Sequence, residues 1–334
     1  MNNLTVTVAI PAWNEEKCIG ATIDSLLDQT YKVDIIVVDD ASTDSTAEIA
    51  RKKGVRVVTA PKQGSKSRAL NYIIPTVETD LFICVDADTI LAYDAVEHLV
   101  KSFDDIRVMV ACGMVHSKSN ENFWQASRAT EYISMQKIVK AAQQRWKAIL
   151  VASGCFFAVR TWYMKGKGGF PDRTLAEDMD LTWMAVEDGY EVSFVETARC
   201  WVDDPYNCYT YKNQVERWFR GYFQNIRVRN YGLFSSRKKL GVVVYGYTIL
   251  NLISIPLFFI ALFSGPLNLF YVVLLWIGIV GFFYYYYGNE SLIRSYTSTF
   301  KFLICSFLNQ YLFIKSAWLE LVKGDELRVW IKGH

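Results

Sequence analysis

Short apolar runs alternate with helical patterns over the first two thirds of the chain. Val6–Ile10, Ile35–Val38, Val55–Thr59, Leu81–Val85 and Val108–Met114 are brief, β-branched and apolar, as strands buried on both faces of a parallel sheet are. Between them, Glu15–Asp28, Ser45–Lys53, Ser67–Ile74 and Tyr93–Phe103 carry helical spacing, with Asn14 and Asp44 where N-caps belong. The alternation predicts an α/β fold with helices on both faces of the sheet. Ligands of such sheets bind beyond the carboxyl ends of the strands.

Near residue 231 the pattern changes. Leu240 to Asn289 is a run of fifty residues without Asp, Glu, Lys or Arg, enough for two membrane spans at ~20 residues each. Ser264-Gly265-Pro266 is a turn signal that divides it, and spans over 241–263 and 267–287 are expected. A third apolar stretch, Phe302–Ile314, lies between Lys301 and Lys315. It is short for a span unless the lysines snorkel, and the segment over about 299–322 is expected as either a third span or an interfacial helix. Arg217, Arg220, Arg227, Arg229, Arg237, Lys238 and Lys239 precede the long run with no acid among them, which predicts a cytoplasmic flank. The expected organisation is a domain over 1–230 and a membrane region over 231–334, with the domain on the cytoplasmic side.

Composition sharpens this picture. The chain is 334 residues, 51% hydrophobic and 15% aromatic, with a formal net charge of +2, which excludes disorder and gives no reason to expect a nucleic-acid partner. Seven scattered Cys and three His form no zinc or disulfide pattern and suit a reducing compartment. No basic segment followed by a long apolar one opens the chain, so a signal peptide is not expected.

Polar groups gather after the strands. Pro11-Ala12-Trp13-Asn14-Glu15-Glu16 follows the first, Asp39-Asp40-Ala41-Ser42-Thr43-Asp44 the second, Lys62 to Arg68 the third and Asp86-Ala87-Asp88 the fourth. Singly, each reads as a cap, a solvated acid or a surface charge; together they describe a site for a charged ligand. Residues i and i+2 of an extended backbone point the same way, so Asp86 and Asp88 can reach one hard cation such as Mg²⁺ or Mn²⁺. Lys66 and Arg68 favour a polyphosphate. Neither a P-loop nor a dinucleotide fingerprint is present.

In order and spacing, these motifs resemble those of family 2 glycosyltransferases, in the membrane-bound branch that makes poly-N-acetylglucosamine, chitin-like oligomers, cellulose and hyaluronan. The likeness covers about residues 4–230. It rests on Pro11–Glu15, Val38–Thr43, Lys66–Asn71, Asp86-Ala87-Asp88, Ser153-Gly154, Gly168-Gly169-Phe170-Pro171, Glu177-Asp178 and the Q-x-x-R-W run Gln214 to Trp218. The resemblance implies a GT-A, Rossmann-like nucleotide-diphospho-sugar transferase domain followed by transmembrane helices. It implies that Pro11, Glu15, Asp40, Lys66, Asp86 and Arg217 bind a UDP-sugar donor, with Asp39 a neighbour. Asp88 would hold Mg²⁺ or Mn²⁺, and Asp178 would be the catalytic base. Ser153, Gly154, Glu177, Gln214 and Trp218 would meet the acceptor. Two departures stand out: Ala176 replaces the threonine common before Glu-Asp, and a long gating loop like that of cellulose synthases has no counterpart.

The residues support the chemistry independently. A sugar hydroxyl attacking an anomeric carbon needs a carboxylate to take its proton and cations to stabilise the departing diphosphate. Asp178 is one of three acids in Glu177-Asp178-Met179-Asp180, where like charges raise one pKa; the plainer reading is a helix N-terminal acid favoured by the dipole. One base without a second catalytic carboxylate implies a single displacement and inversion. Trp218, Tyr222 and Phe223 share a helix face that suits either membrane docking or stacking on a pyranose, and the Q-x-x-R-W match favours the sugar for Trp218.

The expected activity is therefore transfer of a hexose or N-acetylhexosamine from UDP to a growing β-linked glycan at the membrane. Two rivals remain: transfer of one sugar to a ceramide- or polyprenyl-type lipid, and an inactive nucleotide-sugar-binding subunit. The presence of Asp86, Asp88, Asp178 and Arg217 weighs against the latter. Two or three helices cannot surround a glycan crossing lipid, so a long polymer implies self-association or a membrane partner.

Overall fold

The computed structural model describes residues 4–229, 238–263, 277 and 292–324. They form two compact units, Met1–His116 with Lys140–Asp203, and Ser117–Val139 with Asp204–His334. The change in composition near residue 231 falls inside the second unit.

The first unit holds strands β1 (Val6–Ala12), β2 (Asp34–Asp39), β3 (Arg56–Thr59), β4 (Leu81–Val85), β5 (Ile90–Leu91), β6 (Val108–Ser117), β7 (Phe156–Arg160) and β8 (Glu191–Val202). Their order in one sheet is β3-β2-β1-β4-β7-β6-β8-β5. β1 to β4 are parallel, with Val8 opposite Ile35 and Ile83. The apolar run over 108–114 is a strand that runs in the same direction as β1 to β4, but it is not their direct neighbour: β6 and β4 both pair antiparallel with β7, which lies reversed between them. A buried strand reads the same in either direction, because both of its faces are covered.

Helices α1 (Ile19–Leu27), α2 (Thr46–Lys52), α3 (Lys66–Ile73) and α4 (Ala95–Lys101) follow the first four expected helical segments. Two of the expected caps act differently. α1 starts after Cys18 rather than Asn14; Asn14 instead takes φ 55° and accepts from the Thr43 amide at 2.8 Å. Ser45 occupies the N-cap of α2, while the neighbouring Asp44 carboxylate accepts from the Thr46 amide at 3.0 Å. The remaining helices of this unit are α6 (Ala141–Arg145), α7 (Thr161–Gly166) and α8 (Glu177–Glu187). Its core joins Phe82, Phe157 and Phe170 to the strand residues, with Phe170 5.7 and 5.9 Å from the other two rings.

The second unit contains α5 (Phe123–Ser134), α9 (Cys208–Arg229), α10 (Lys238–Phe263) and α11 (Leu292–Ala317), the last continued by a π-helical turn over Trp318–Lys323. α10 is helical over 241–263, where the first span is expected, whereas 267–287 lies, apart from Ile277, outside the described residues. Among the described residues one helix, Thr297–Lys323, is long and apolar enough to cross a membrane. Lys301 and Lys315, which flank Phe302–Ile314, are inside that helix, whose bounds lie close to the expected 299–322.

Tyr222 and Phe223 are buried at 2% and 1% exposure and do not form a membrane-docking stripe. Both pack on Phe313 of α11, with Phe223 at 4.8 Å between ring centroids, and Tyr222 also packs on Tyr247 of α10. The basic flank is also partly internal. Arg220 is buried and donates to buried Glu320 at 2.7 Å, while Gln224 reaches the same carboxylate at 3.1 Å. A positive-inside count over this segment therefore includes a charge that is neutralised inside the protein.

Candidate active site

The polar groups after β1, β2 and β4 share the carboxyl rim of the parallel strands. The Asp40 amide donates to the Ala12 carbonyl at 2.8 Å, extending the β1–β2 ladder to the end of Asp39. Asp40 is itself buried, and its carboxylate accepts from the Gly64 amide at 3.0 Å. Burial pushes this carboxyl above its usual range; the Gly64 amide pulls it back, and Asp39 beside it adds to the rise. Glu15 is half-buried, with its amide donating to Thr46 at 2.7 Å and its carboxylate accepting from the Cys18 thiol at 3.1 Å.

Lys66 opens α3, whose N-cap Ser65 accepts from the Arg68 amide at 3.2 Å. Its ammonium lies 2.5 Å from Asp86 Oδ1, 2.8 Å from the Gly154 carbonyl and 3.8 Å from Glu177. Burial works against the charge, but the Asp86 and Glu177 carboxylates outweigh it and hold Lys66 well above the ordinary lysine range. Behind this pair, burial raises the Cys84 thiol to about 12, so it stays a thiol at neutral pH.

The Asp86-x-Asp88 pair divides its labour. Asp86 is engaged by Lys66, whereas Asp88, also half-buried, accepts from the Thr89 hydroxyl at 3.3 Å. Among the described residues no group of three or more His, Cys, Asp or Glu could hold a metal. A divalent ion here therefore needs oxygens from phosphates and water to complete its shell, an arrangement that suits Mg²⁺ or Mn²⁺ and a hard carboxylate donor.

The three acids of α8 point to different partners. Asp180 is fully buried and takes both arms of the Arg173 guanidinium, at 2.8 and 2.9 Å. Glu177 approaches Lys66. Asp178 accepts from the next amide, Met179, at 2.8 Å, and its other oxygen lies against the α-carbon of Gly154, where a Cβ would come to 2.8 Å. Lys66, Asp86, Gly154, Glu177 and Asp178 thus form one cluster, while Asp180 belongs to the core. Of the three acids, Asp180 is the one paired with Arg173. The position before Glu177 is Ala176, which offers α8 no side-chain cap.

Ser153 is placed beside this cluster by a residue that the sequence did not single out. Lys140 is buried, and its ammonium donates to Ser153 Oγ at 2.8 Å. Arg68, expected to favour polyphosphate, is instead paired to Asp172 at 2.5 Å. It helps α3 hold the Gly168–Asp172 turn, together with Ser67, which donates to the Pro171 carbonyl at 2.9 Å. In the same turn Gly169 has φ +104° with no room for a Cβ beside Asn71, and Asn71 exchanges hydrogen bonds with Phe170 at 2.6 and 2.8 Å.

Gln214, Arg217 and Trp218 lie on α9 in the second unit. Gln214 Oε1 accepts from Arg128 of α5 at 3.0 Å, and the Arg128 guanidinium carbon stands 4.6 Å from the Trp218 ring centroid. Arg217 is half-buried. Arg128 was not legible beforehand. Its i+3 spacing from Glu131 looks like a surface pair, and the only hint is its position among the buried residues of an amphipathic helix.

Residues 7–165 match the sequence profile of Glycosyl transferase family 2. These residues form a family 2 glycosyltransferase domain. The chain is 32% identical over 264 residues to an Escherichia coli (strain K12) protein named "Uncharacterized glycosyltransferase YaiP", covering 72% of this chain and 64% of the relative. It is 26% identical over 243 residues to a Staphylococcus aureus (strain COL) poly-beta-1,6-N-acetyl-D-glucosamine synthase, covering 69% and 59%. The chain thus spans somewhat under two thirds of the length of these curated relatives. Around the family 2 domain, a mannosyltransferase from Pyrobaculum calidifontis, solved with GDP-Man and Mn2+, superposes with a TM-score of 0.68 over 96% of this chain and 88% of its own, at 19% identity. That likeness establishes the GT-A fold of the family 2 domain.

Proposed function

We propose that the protein is an inverting, metal-dependent glycosyltransferase that moves a hexose or N-acetylhexosamine from a UDP-sugar to a growing β-linked glycan at a membrane. The observation that carries this is the cluster of Lys66, Asp86, Gly154, Glu177 and Asp178, inside or beside a family 2 domain, at the rim where α/β sheets bind ligands. In this reading Asp40, Glu15 and Pro11 hold the nucleotide base, and Asp86, fixed by Lys66, faces the ribose and sugar. A carboxylate already bound to an ammonium does not reorganise when the donor arrives.

Asp88 would hold Mg²⁺ or Mn²⁺, and the bound ion supplies charge neutralisation for the diphosphate. Asp178 takes the proton of the attacking hydroxyl at its free edge near Gly154, with its other oxygen pinned by the Met179 amide. Arg217 is assigned to the diphosphate, and Gln214, Trp218, Ser153, Gly154 and Glu177 to the acceptor. A single carboxylate acting as base gives one displacement and an α-to-β inversion. Membrane location is supported by the Thr297–Lys323 helix and by the poly-N-acetylglucosamine synthase relative, and the basic flank favours a cytoplasmic catalytic face. A long product would require self-association or a membrane partner.

Mass spectrometry of products formed from a panel of UDP-sugars with purified membranes tests the reading. β-Linked oligomers are the expected result; lipids carrying one sugar would replace the glycan acceptor by a ceramide- or polyprenyl-type one. Asp178→Asn should lose at least ~10²-fold in transfer while retaining UDP binding. Near-normal turnover in that variant would end the assignment of the base.

A further inference from the structure

Arg128 is fully buried in α5. Its guanidinium donates to Glu131 at 2.6 Å and to Gln214 at 3.0 Å, and lies over two rings, Tyr211 at 4.5 Å and Trp218 at 4.6 Å. Burial disfavours the cation, and the Glu131 carboxylate restores it, so Arg128 is held above the ordinary arginine range and stays charged. A planar guanidinium can fork to two oxygens while lying against aromatic rings, which an ammonium cannot do. The arrangement is braced from α11: Asn309 accepts from the Tyr211 hydroxyl at 3.0 Å and donates to the other Glu131 oxygen at 3.5 Å.

We propose that Arg128 is the positioning residue of the acceptor platform. By covering one face of Trp218 and anchoring Gln214 one turn earlier, it leaves only the opposite face of the indole for a pyranose and fixes the tilt of the ring. This rests on the reading of Trp218 as the surface that receives the acceptor sugar. A cation on the covered face also draws electron density from the ring, making Trp218 a stiff, polarised platform rather than a free rotor.

The test is ¹⁹F NMR of the full chain in detergent with 5-fluorotryptophan, which labels ten tryptophans; Trp218→Phe identifies the resonance of interest. Arg128→Lys retains the charge and loses the fork and the stack. It should shift the Trp218 resonance and leave the tryptophans of the first unit in place. Gln214→Leu, which removes one hydrogen bond, should shift it less. If the Trp218 resonance keeps its position in Arg128→Lys, the proposal is overturned. It is equally overturned if all the resonances move together, since Arg128 would then be supporting the fold at large.

Titration with a β-linked N-acetylglucosamine oligosaccharide separates this from the underlying reading. Where the sugar moves the Trp218 resonance of the parent, Arg128→Lys should weaken its binding by about tenfold, and undiminished binding in that variant would count against positioning. A parent whose Trp218 does not respond to the sugar argues against the acceptor reading, while the Arg128→Lys shift still decides whether the ring is positioned as proposed.

Discussion

Gly154→Ala asks whether the placement of the Asp178 carboxylate, rather than its mere presence, sets the rate. A Cβ at residue 154 would stand 2.8 Å from Asp178 Oδ2 and 3.2 Å from its Cγ, where ordinary contact begins at 3.4 Å. The oxygen must recede by about 0.6 Å (3.4 less 2.8). Asp178 is short, and its other oxygen is bound to the Met179 amide, so the carboxylate can only swivel about that anchor. Displacements near 1 Å from a reactive geometry cost about 10²-fold in rate, so a loss of roughly 10- to 100-fold is expected. The fold should hardly notice, because what moves is a side-chain end and Gly→Ala lowers the entropy of the unfolded chain by about 0.4–1 kcal/mol.

The assay is initial-rate UDP release with the sugar donor that supports turnover, alongside calorimetric UDP binding and thermal melting in the same detergent. The parent and Gly154→Ala should melt and bind UDP alike. In an Asp178→Asn background, Gly154→Ala should add less than about twofold, because two changes acting through one carboxylate do not add. Full turnover in Gly154→Ala, or an equal loss in both backgrounds, would refute the reasoning and detach Gly154 from the base.

Further expectations follow from other parts of the chain. Chelation with EDTA should abolish transfer and Mn²⁺ or Mg²⁺ restore it, with Asp88→Ala unresponsive to added metal; full activity in chelator would remove the metal from the proposal. Glu320→Gln leaves the buried Arg220 without its counter-charge, and the loss of about 3 kcal/mol expected for a broken buried pair should lower the midpoint of melting in mild detergent; an unchanged midpoint would mean that water reaches the pair. Asp204 has its pKa raised by burial from 3.8 to about 6, against the pull of Ser117, Arg128 and Tyr132. The folded protein therefore binds the extra proton first, and stability present below about pH 4 is lost as pH rises to about 6, at up to ~1.4 kcal/mol per unit of pKa difference. Asp204→Asn should flatten that slope in pH-dependent melting, and an unaltered slope would assign it to another group.

Much of the donor side could be read along the chain. Strand cores and the polar turns that follow them are local patterns, and in a parallel sheet each turn after a strand necessarily arrives at the same rim. Pro11, Asp40, Lys66 and Asp86 therefore pointed to one site before any distance was known. Strand order was a different matter: β6 runs the way β1 to β4 do, but the structure inserts β7, reversed, between β4 and β6. The acids of α8 show the same limit more sharply. Glu177, Asp178 and Asp180 are nearly equivalent as letters, and a salt bridge from Arg173, seven residues earlier than Asp180, removes one of them from consideration.

The second unit depended still more on tertiary contacts. Composition announced apolar helices after residue 240, since the absence of charge is a property of the chain itself. It could not reveal that Tyr222 and Phe223 face Phe313 instead of lipid, or that Arg220 is spent on Glu320, 100 residues away. Arg128 is the clearest case. As sequence it is one arginine three residues before a glutamate; in the structure it is a buried cation that touches Gln214 and Trp218. The sequence by itself determined β1 to β4 and β6, the helices α1 to α4 and the polar turns at the strand ends, because periodicity and turn chemistry act over a few residues; β5, β7 and β8 came only with the structure. Which charges are buried, and against what, was decided only when distant segments met, because the desolvation that makes a charge consequential depends on neighbours the local sequence does not contain.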